Sequence, residues 1–185
     1  VGLYIMRDRL CLVRMRKNLF SISLVGEGLR EITSGDDPGL RKKAFSEAIS
    51  SFLPHFNPAK DPFYIAISPD QAIMCQVFLP QAAEENLKQV LDYEIERLLP
   101  FRREEVYYDF LPAGRKENKI SLILFAIPKK FLDEIMDTLS TFGIRPKGIE
   151  IGTTATSNYT LFCKTDMTGR AMLLGGDGNG WEMIG

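Results

Sequence analysis

The stretch LPQAAEENLKQVLDYEIERLLPFRREEVYYDFLP, residues 79–112, decides the reading of this chain. Ala83, Leu87, Val90, Leu91, Ile95 and Leu98 recur at helical spacing and form one apolar stripe. Leu99-Pro100-Phe101 closes that helix, because proline cannot continue it with normal bonding, and fixes an aromatic ring at the corner. A strand follows in which Val106, Tyr108 and Phe110 face one side while Glu105, Tyr107 and Asp109 face the other. The stretch holds no metal-ligand set, no nucleophile paired with a base and no phosphate loop. What it offers is a shaped surface.

Glu94 stands out within it. Helical spacing sets this carboxylate between Leu87, Val90, Leu91 and Leu98, where it must reach water from an edge position or be tied to a partner group. In the second case it links the helix to a neighbouring backbone or arginine and shapes a groove. The other acids, Glu84, Glu85, Asp92 and Glu96, share a helix face with Lys88 and Arg97 and read as solvated. Tyr107 and Asp109 read either as ordinary alternation or as an amphipathic surface suited to an extended peptide.

On either side of this stretch the pattern is mixed α/β. Leu3 to Met6, Leu10 to Met15 and Leu19 to Val25 predict an antiparallel meander, followed by turn residues 34–38 and a helix with Leu40, Ala44, Ala48, Ile49, Phe52 and Leu53 apolar. Phe63 to Ser68 is a short apolar run of the kind found in a buried central strand. A strand from Ala72 through Phe78 leads into the quoted helix. After it come strands near Val106 to Leu111 and Lys119 to Ile127, then a helix carrying Phe131, Leu132, Ile135, Met136, Leu139 and Phe142 and stopping at Gly143. The result is a small β-α-β-β-α unit, which Arg145 to Ile151 is expected to complete. A short helix from about Thr153 and a hairpin, Ala171 to Leu174 with Trp181 to Ile184, end the chain.

Composition limits the function. Among 185 residues, 45% are hydrophobic, enough for a real core, and 23 basic side chains nearly balance 24 acidic ones. No general basic field exists to gather phosphate backbones, so nucleic acid is not the expected partner. Cys11, Cys75 and Cys163 are too dispersed for a zinc site and read as buried thiols in a reducing compartment. No apolar run is long enough to span a bilayer, so membrane association is expected only through a partner. The chain opens on Val1 and stops at Gly185 just after the hairpin, which reads as a piece of a longer protein.

Candidate chemistry is sparse. Gly175 to Gly180 reads as a tight hairpin turn or, less readily, as a loop facing phosphate, with Gly176, Asp177 and Gly178 the nucleotide-contacting candidates. No Gly-Lys-Ser/Thr follows it and the calcium-loop acids are missing. His55, the one histidine, has no partner in sequence and reads as a surface or cap residue. A ribonuclease-H-like enzyme needs clustered acids for two metals, and Asp8, Asp70 and Asp177 are the few candidates for such a cluster.

The strand entering Leu79-Pro80, the helix carrying Glu94, the Leu99-Pro100-Phe101 corner, Glu104-Glu105-Val106 and Tyr108-Asp109-Phe110 together resemble the inserted subdomain of the PilM family of type IV pilus assembly proteins. The type II secretion platform family GspL has a similar cytoplasmic domain, and both are similar to actin-like ATPases of the FtsA kind. The resemblance implies an actin-like (ribonuclease-H-like) first lobe, with 1–71 and 149–185 as subdomain 1A and 72–148 as an inserted βαββα module of the 1C type. In nucleotide-binding members the first hairpin opens on an Asp-x-Gly-Ser/Thr-like stretch. Here Tyr4 stands in the place of the acid, Met6 in the place of the glycine, and Gly175 where the second hairpin should carry an acid. The resemblance therefore implies a non-enzymatic cytoplasmic scaffold beside the inner membrane, without cofactor or metal. It would bind PilN-like tails or a GspE-like ATPase, with Glu94, Phe101, Tyr107 and Asp109 as partner-binding residues. The alternative is an actin-like protein that keeps ATP.

Overall fold

The computed structural model describes residues 1–32, 37–163, 173–176 and 181–184. It divides into two compact units, Val1–Pro69 with the chain from Thr141 onward, and Asp70–Ser140. In the first unit β1 (Gly2–Ile5), β2 (Arg9–Lys17) and β3 (Ile22–Glu31) form the expected antiparallel meander. The third strand runs six residues past the expected end at Val25, because the paired register with β2 carries Glu31 back to Arg9.

Helix α1 (Pro38–Phe52) starts where Asp37 accepts hydrogen bonds from the backbone N–H groups of Gly39 (2.7 Å) and Leu40 (3.3 Å), with Pro38 pre-set for the first turn. Its buried side chains are Phe45, Ala48, Ile49 and Phe52. Leu40, read as apolar-face, is exposed, and Phe45 takes that role one turn on. Phe52 packs directly under β3: a Cβ on Gly28 would lie 2.7 Å from its Cε1, so only glycine allows the strand to approach this closely.

Strand β4 (Tyr64–Ile67) pairs in parallel with β1 on one side and β8 (Gly148–Ile151) on the other, giving the order β3-β2-β1-β4-β8. The expected buried central strand is thus in place, with Ile65 and Ile67 nearly inaccessible. The residues expected to complete the small inserted unit instead form β8 at the edge of this larger sheet. The parallel ladder from Tyr64↔Gly148 to Ile67↔Ile151 fixes them there. Helix α4 (Gly152–Cys163) follows at once, and β9 (Leu173–Gly176) pairs antiparallel with β10 (Trp181–Ile184).

The second unit contains β5 (Ile73–Pro80), α2 (Leu87–Leu98), β6 (Val106–Lys116), β7 (Lys119–Pro128) and α3 (Lys129–Thr141). Its sheet has the order β5-β7-β6, entirely antiparallel. The turn leading into α2, Gln81–Asn86, is 3-10 and not α-helical, so Ala83 precedes the helix proper. Alternation along the strands then decides the core. Val77, Leu79, Val106, Ile120, Leu122, Leu124 and Ala126 all point to the α2 side, where Leu91, Ile95 and Leu99 close over them.

Candidate partner-binding face

The corner after α2 is built by residues whose roles come from position. Pro100 ends the helix, and the Glu105 carboxylate accepts from the backbone N–H of Arg102 at 2.8 Å while the Glu105 N–H donates to the Arg102 carbonyl at 3.0 Å. This reciprocal pair holds the short turn that launches β6. Arg103 then reaches back to Asp92 on α2, and its guanidinium lies 4.6 Å from the centre of the Tyr108 ring. The Tyr108 hydroxyl donates to Asp92 at 2.8 Å, with the Lys88 carbonyl also near at 3.3 Å.

Asp92 therefore does not belong to a solvated face, as the helical spacing suggested. It joins α2, the corner and β6. The hydrogen bond from Arg103, then that from Tyr108, holds its carboxyl below the usual carboxylate range. Burial, reinforced by Asp92, pushes the Tyr108 hydroxyl up to about 12. Sequence reasoning missed this trio because Arg103 follows a proline corner, where no periodicity predicts a side chain's direction. Glu84 is exposed, as expected, and there pairs with Arg115 of β6.

Glu94 is partly buried and is bonded by Arg97 of its own helix, three residues on, so its partner is local. Phe101 packs onto the core under α2. Tyr107 and Asp109 point to the opposite side of the sheet and are exposed, as the alternation of β6 requires. The structure thus separates the four residues: Tyr107 and Asp109 share one face, while Phe101 belongs to the other and Glu94 to α2.

That second face is laid out by register. Asp109 lies opposite Phe125, which lies opposite Met74; Leu111 lies opposite Ile123, which lies opposite Gln76. Met74, Phe78 and Leu111 are about half exposed, and Ile123 and Phe125 are partly so. Gln76 donates to Ser121 at 2.8 Å, satisfying the polar groups between them. At the margin nearest α3, Tyr107 donates to Asp133 at 3.0 Å, and Lys129 stands 5.3 Å from the centre of its ring. The bond to Asp133 raises the Tyr107 ionisation above its ordinary range. Strand β6 is at the sheet's edge, and a register irregularity between Pro112 and Gly114 interrupts its ladder, which resumes from Gly114 to Lys116. The unit carries 13 acidic against 9 basic side chains, a net charge of −4.

In the first unit Tyr4 lies on β1 with its ring against the start of α4: a Cβ on Gly152 would be 2.9 Å from its hydroxyl oxygen. Met6 is buried and His55 exposed. Asp8 pairs with Arg9 at 3.1 Å, and Asp70 accepts from Gln71 at 2.9 Å. Cys11 and Cys75 are partly buried free thiols, and burial raises both above the usual thiol range. Among the described residues no group of three or more His, Cys, Asp or Glu side chains is placed to hold a metal ion. Gly176 ends β9, while Asp177 and Gly178 lie outside the described residues. No helix among the described residues is long and apolar enough to cross a membrane.

No protein-family profile matches the chain, and no curated protein matches it in sequence. Solved structures do match. One is a chain of the PilM-PilN type IV pilus biogenesis complex, with a TM-score of 0.64 and 20% identity over 86% of this chain and 49% of that one. Another is the cytoplasmic domain of EpsL, an inner-membrane component of the type II secretion system of Vibrio cholerae. There the TM-score is 0.59 and the identity 15%, over 80% of this chain and 56% of that one. The chain therefore spans about half the length of each. Its architecture is mixed α/β, and its fold is PilM/GspL-like.

Proposed function

We propose that this chain is a cytoplasmic scaffold lobe of a type IV pilus or type II secretion assembly platform at the inner membrane, and that it holds partner tails without turning over fuel. In this reading the five-stranded sheet with its helices is an actin-like 1A subdomain, and the three-stranded unit is a 1C-like insert. The observation that carries the proposal is the open face of that insert. An amphipathic strip of Tyr107, Asp109 and Leu111 runs along an edge strand, where Asp109 also accepts from the Phe110 N–H at 2.9 Å, a local bond that an added strand would replace. A net charge of −4 on the unit favours a basic or neutral peptide over an acidic one. The pairing of PilM with PilN in the similar complex supports a PilN-like tail as occupant, and a GspE-like ATPase is the partner that the secretion reading supplies.

Tyr4 argues against the nucleotide-binding alternative. Its ring covers Gly152 at the first turn of α4, so an aromatic side chain fills the space beside that helix N-terminus, where an anion would have to approach the backbone N–H groups. Thermal unfolding with and without magnesium-ATP tests this: an unchanged midpoint agrees with the scaffold reading, and an upward shift contradicts it. The partner site is tested by capturing a PilN-like cytoplasmic tail with the chain and with its Tyr107→Ala and Asp109→Ala variants. Recovery should fall for both variants. Recovery equal to that of the parent removes these residues from the site.

A further inference from the structure

The β2–β3 hairpin is not absorbed by this function. Its base is well anchored: Gly28 lies on Phe52, Arg30 stacks 5.2 Å from the centre of the same ring, and Arg14 donates to the His55 carbonyl at 2.9 Å. The register shifts between Arg14 and Met15, and beyond that point every residue from Met15 to Glu27 is exposed. The hairpin leaves the body of its unit as a finger. At its tip the Asn18 N–H donates to the Ser21 carbonyl at 2.8 Å, which puts Leu19 and Phe20 at the two corner positions. They are 94% and 97% exposed. Tight turns are normally filled by Gly, Asn, Asp or Pro for conformational reasons, and neither Leu19 nor Phe20 has the positive φ that would call for them. Turn geometry therefore gives no reason for two large apolar side chains here.

The shaft behind the tip has two different faces. Met15 pairs with Leu24 and Lys17 with Ile22, so Met15, Ile22 and Leu24 share one face with Lys17 at its tip end, while Arg14 and Arg16 lie on the other with Ser23. Between Arg14 and Gly26 there are three cations and no acid. Arg16 and Lys17 make no ion pair among the described residues. At about 3.3 Å per residue, Lys17 and Arg16 lie roughly 7–10 Å behind Leu19. That spacing matches the depth, about 5–10 Å, to which an apolar group enters the boundary between headgroups and acyl chains while its cationic neighbours stay among the phosphates.

We propose that this finger is a direct contact with an anionic lipid surface, seating Leu19 and Phe20 in the interface and setting Arg16 and Lys17 against lipid phosphates. The charge of the units agrees, since the one bearing the finger has 14 basic against 11 acidic side chains. The inference adds to the sequence expectation, which allowed membrane association only through a partner, and it does not depend on the partner-binding reading.

The test is co-sedimentation of the chain with vesicles of phosphatidylcholine mixed with phosphatidylglycerol, and with vesicles of phosphatidylcholine alone. The chain should pellet with the mixed vesicles, less with the neutral ones, and progressively less as salt rises. Leu19→Ser with Phe20→Ser should weaken that partition about tenfold or more, since two exposed apolar groups no longer leave water. Arg16→Gln with Lys17→Gln should remove the preference for anionic lipid. Both double variants should keep the parent's unfolding midpoint, because these side chains make no buried contact. The proposal is overturned if the chain does not pellet with the mixed vesicles, or if the Leu19→Ser, Phe20→Ser variant pellets equally well. It is also overturned if those substitutions abolish a self-association of the chain while vesicle binding is nil, which would make the finger an interface between copies.

Discussion

Replacing Gly152 by alanine probes the packing of Tyr4 directly. The new Cβ would meet the Tyr4 hydroxyl oxygen at 2.9 Å, Cε2 at 3.0 Å and Cζ at 3.2 Å. All three fall inside the ~3.5–4.0 Å at which carbon contacts are comfortable. Tyr4 cannot swing freely aside, since its strand is flanked in register by Cys11 and Ala66 on the two neighbouring strands. Overpacking of this kind costs about 1–3 kcal/mol. The gain in helix propensity from glycine to alanine offsets at most ~1 kcal/mol, and less at a first helical residue. The net expectation is a loss of about 1–2 kcal/mol, read in thermal unfolding as a midpoint roughly 2–8 °C lower for a chain of this size. Repeating the substitution in a Tyr4→Ala background removes the obstruction, so Gly152→Ala should there be neutral or slightly stabilising, a coupling of about 1–3 kcal/mol. Equal effects of Gly152→Ala in the two backgrounds would refute the claim that the Tyr4 ring occupies this space.

Other consequences follow from the second unit. Leu124 is fully buried between α2 and the sheet, so Leu124→Ala should cost about 2–5 kcal/mol, checked by urea unfolding. The depressed Asp92 carboxyl contributes stability that is present above the ordinary aspartate range and lost as pH falls through its lowered value. Asp92→Asn should therefore flatten the acid limb of a stability-against-pH curve. Tyr108 has the opposite sign: its raised value makes its contribution complete below about pH 10 and lost as pH rises towards about 12. An ultraviolet titration should find one tyrosine ionising near the top of that window, and Asp92→Asn should move it down.

Much of the fold is legible because it rests on local periodicity. The alternation of β6 places Tyr107 and Asp109 on one face and Val106 and Tyr108 on the other, and Asp37-Pro38 announces α1. What local patterns cannot supply is pairing partner. Residues 145–151 carry no mark saying that they pair with β4 and not with the insert, because both sheets accept a short apolar strand and only tertiary packing chooses. The same limit applies to the site. Asp92 occupies a helix position next to Lys88, which reads as solvated until the corner at Pro100 turns Arg103 and Tyr108 back onto it. Glu94 stands within the apolar stripe, and its arginine lies only three residues away. The finger at Leu19 and Phe20 reads as a strand start in sequence, since bulky apolar residues there give no sign that they form a turn standing clear of the body.

The open face of the second unit is the proposed site for a partner tail. Amide hydrogen exchange of the chain, alone and saturated with a PilN-like cytoplasmic tail, measures occupation of that face strand by strand. Added pairing along the edge should slow exchange in Val106–Leu111, while α2 on the opposite side stays unchanged. Protection that appears only in the first unit, or none at all with the tail bound, would contradict the assignment.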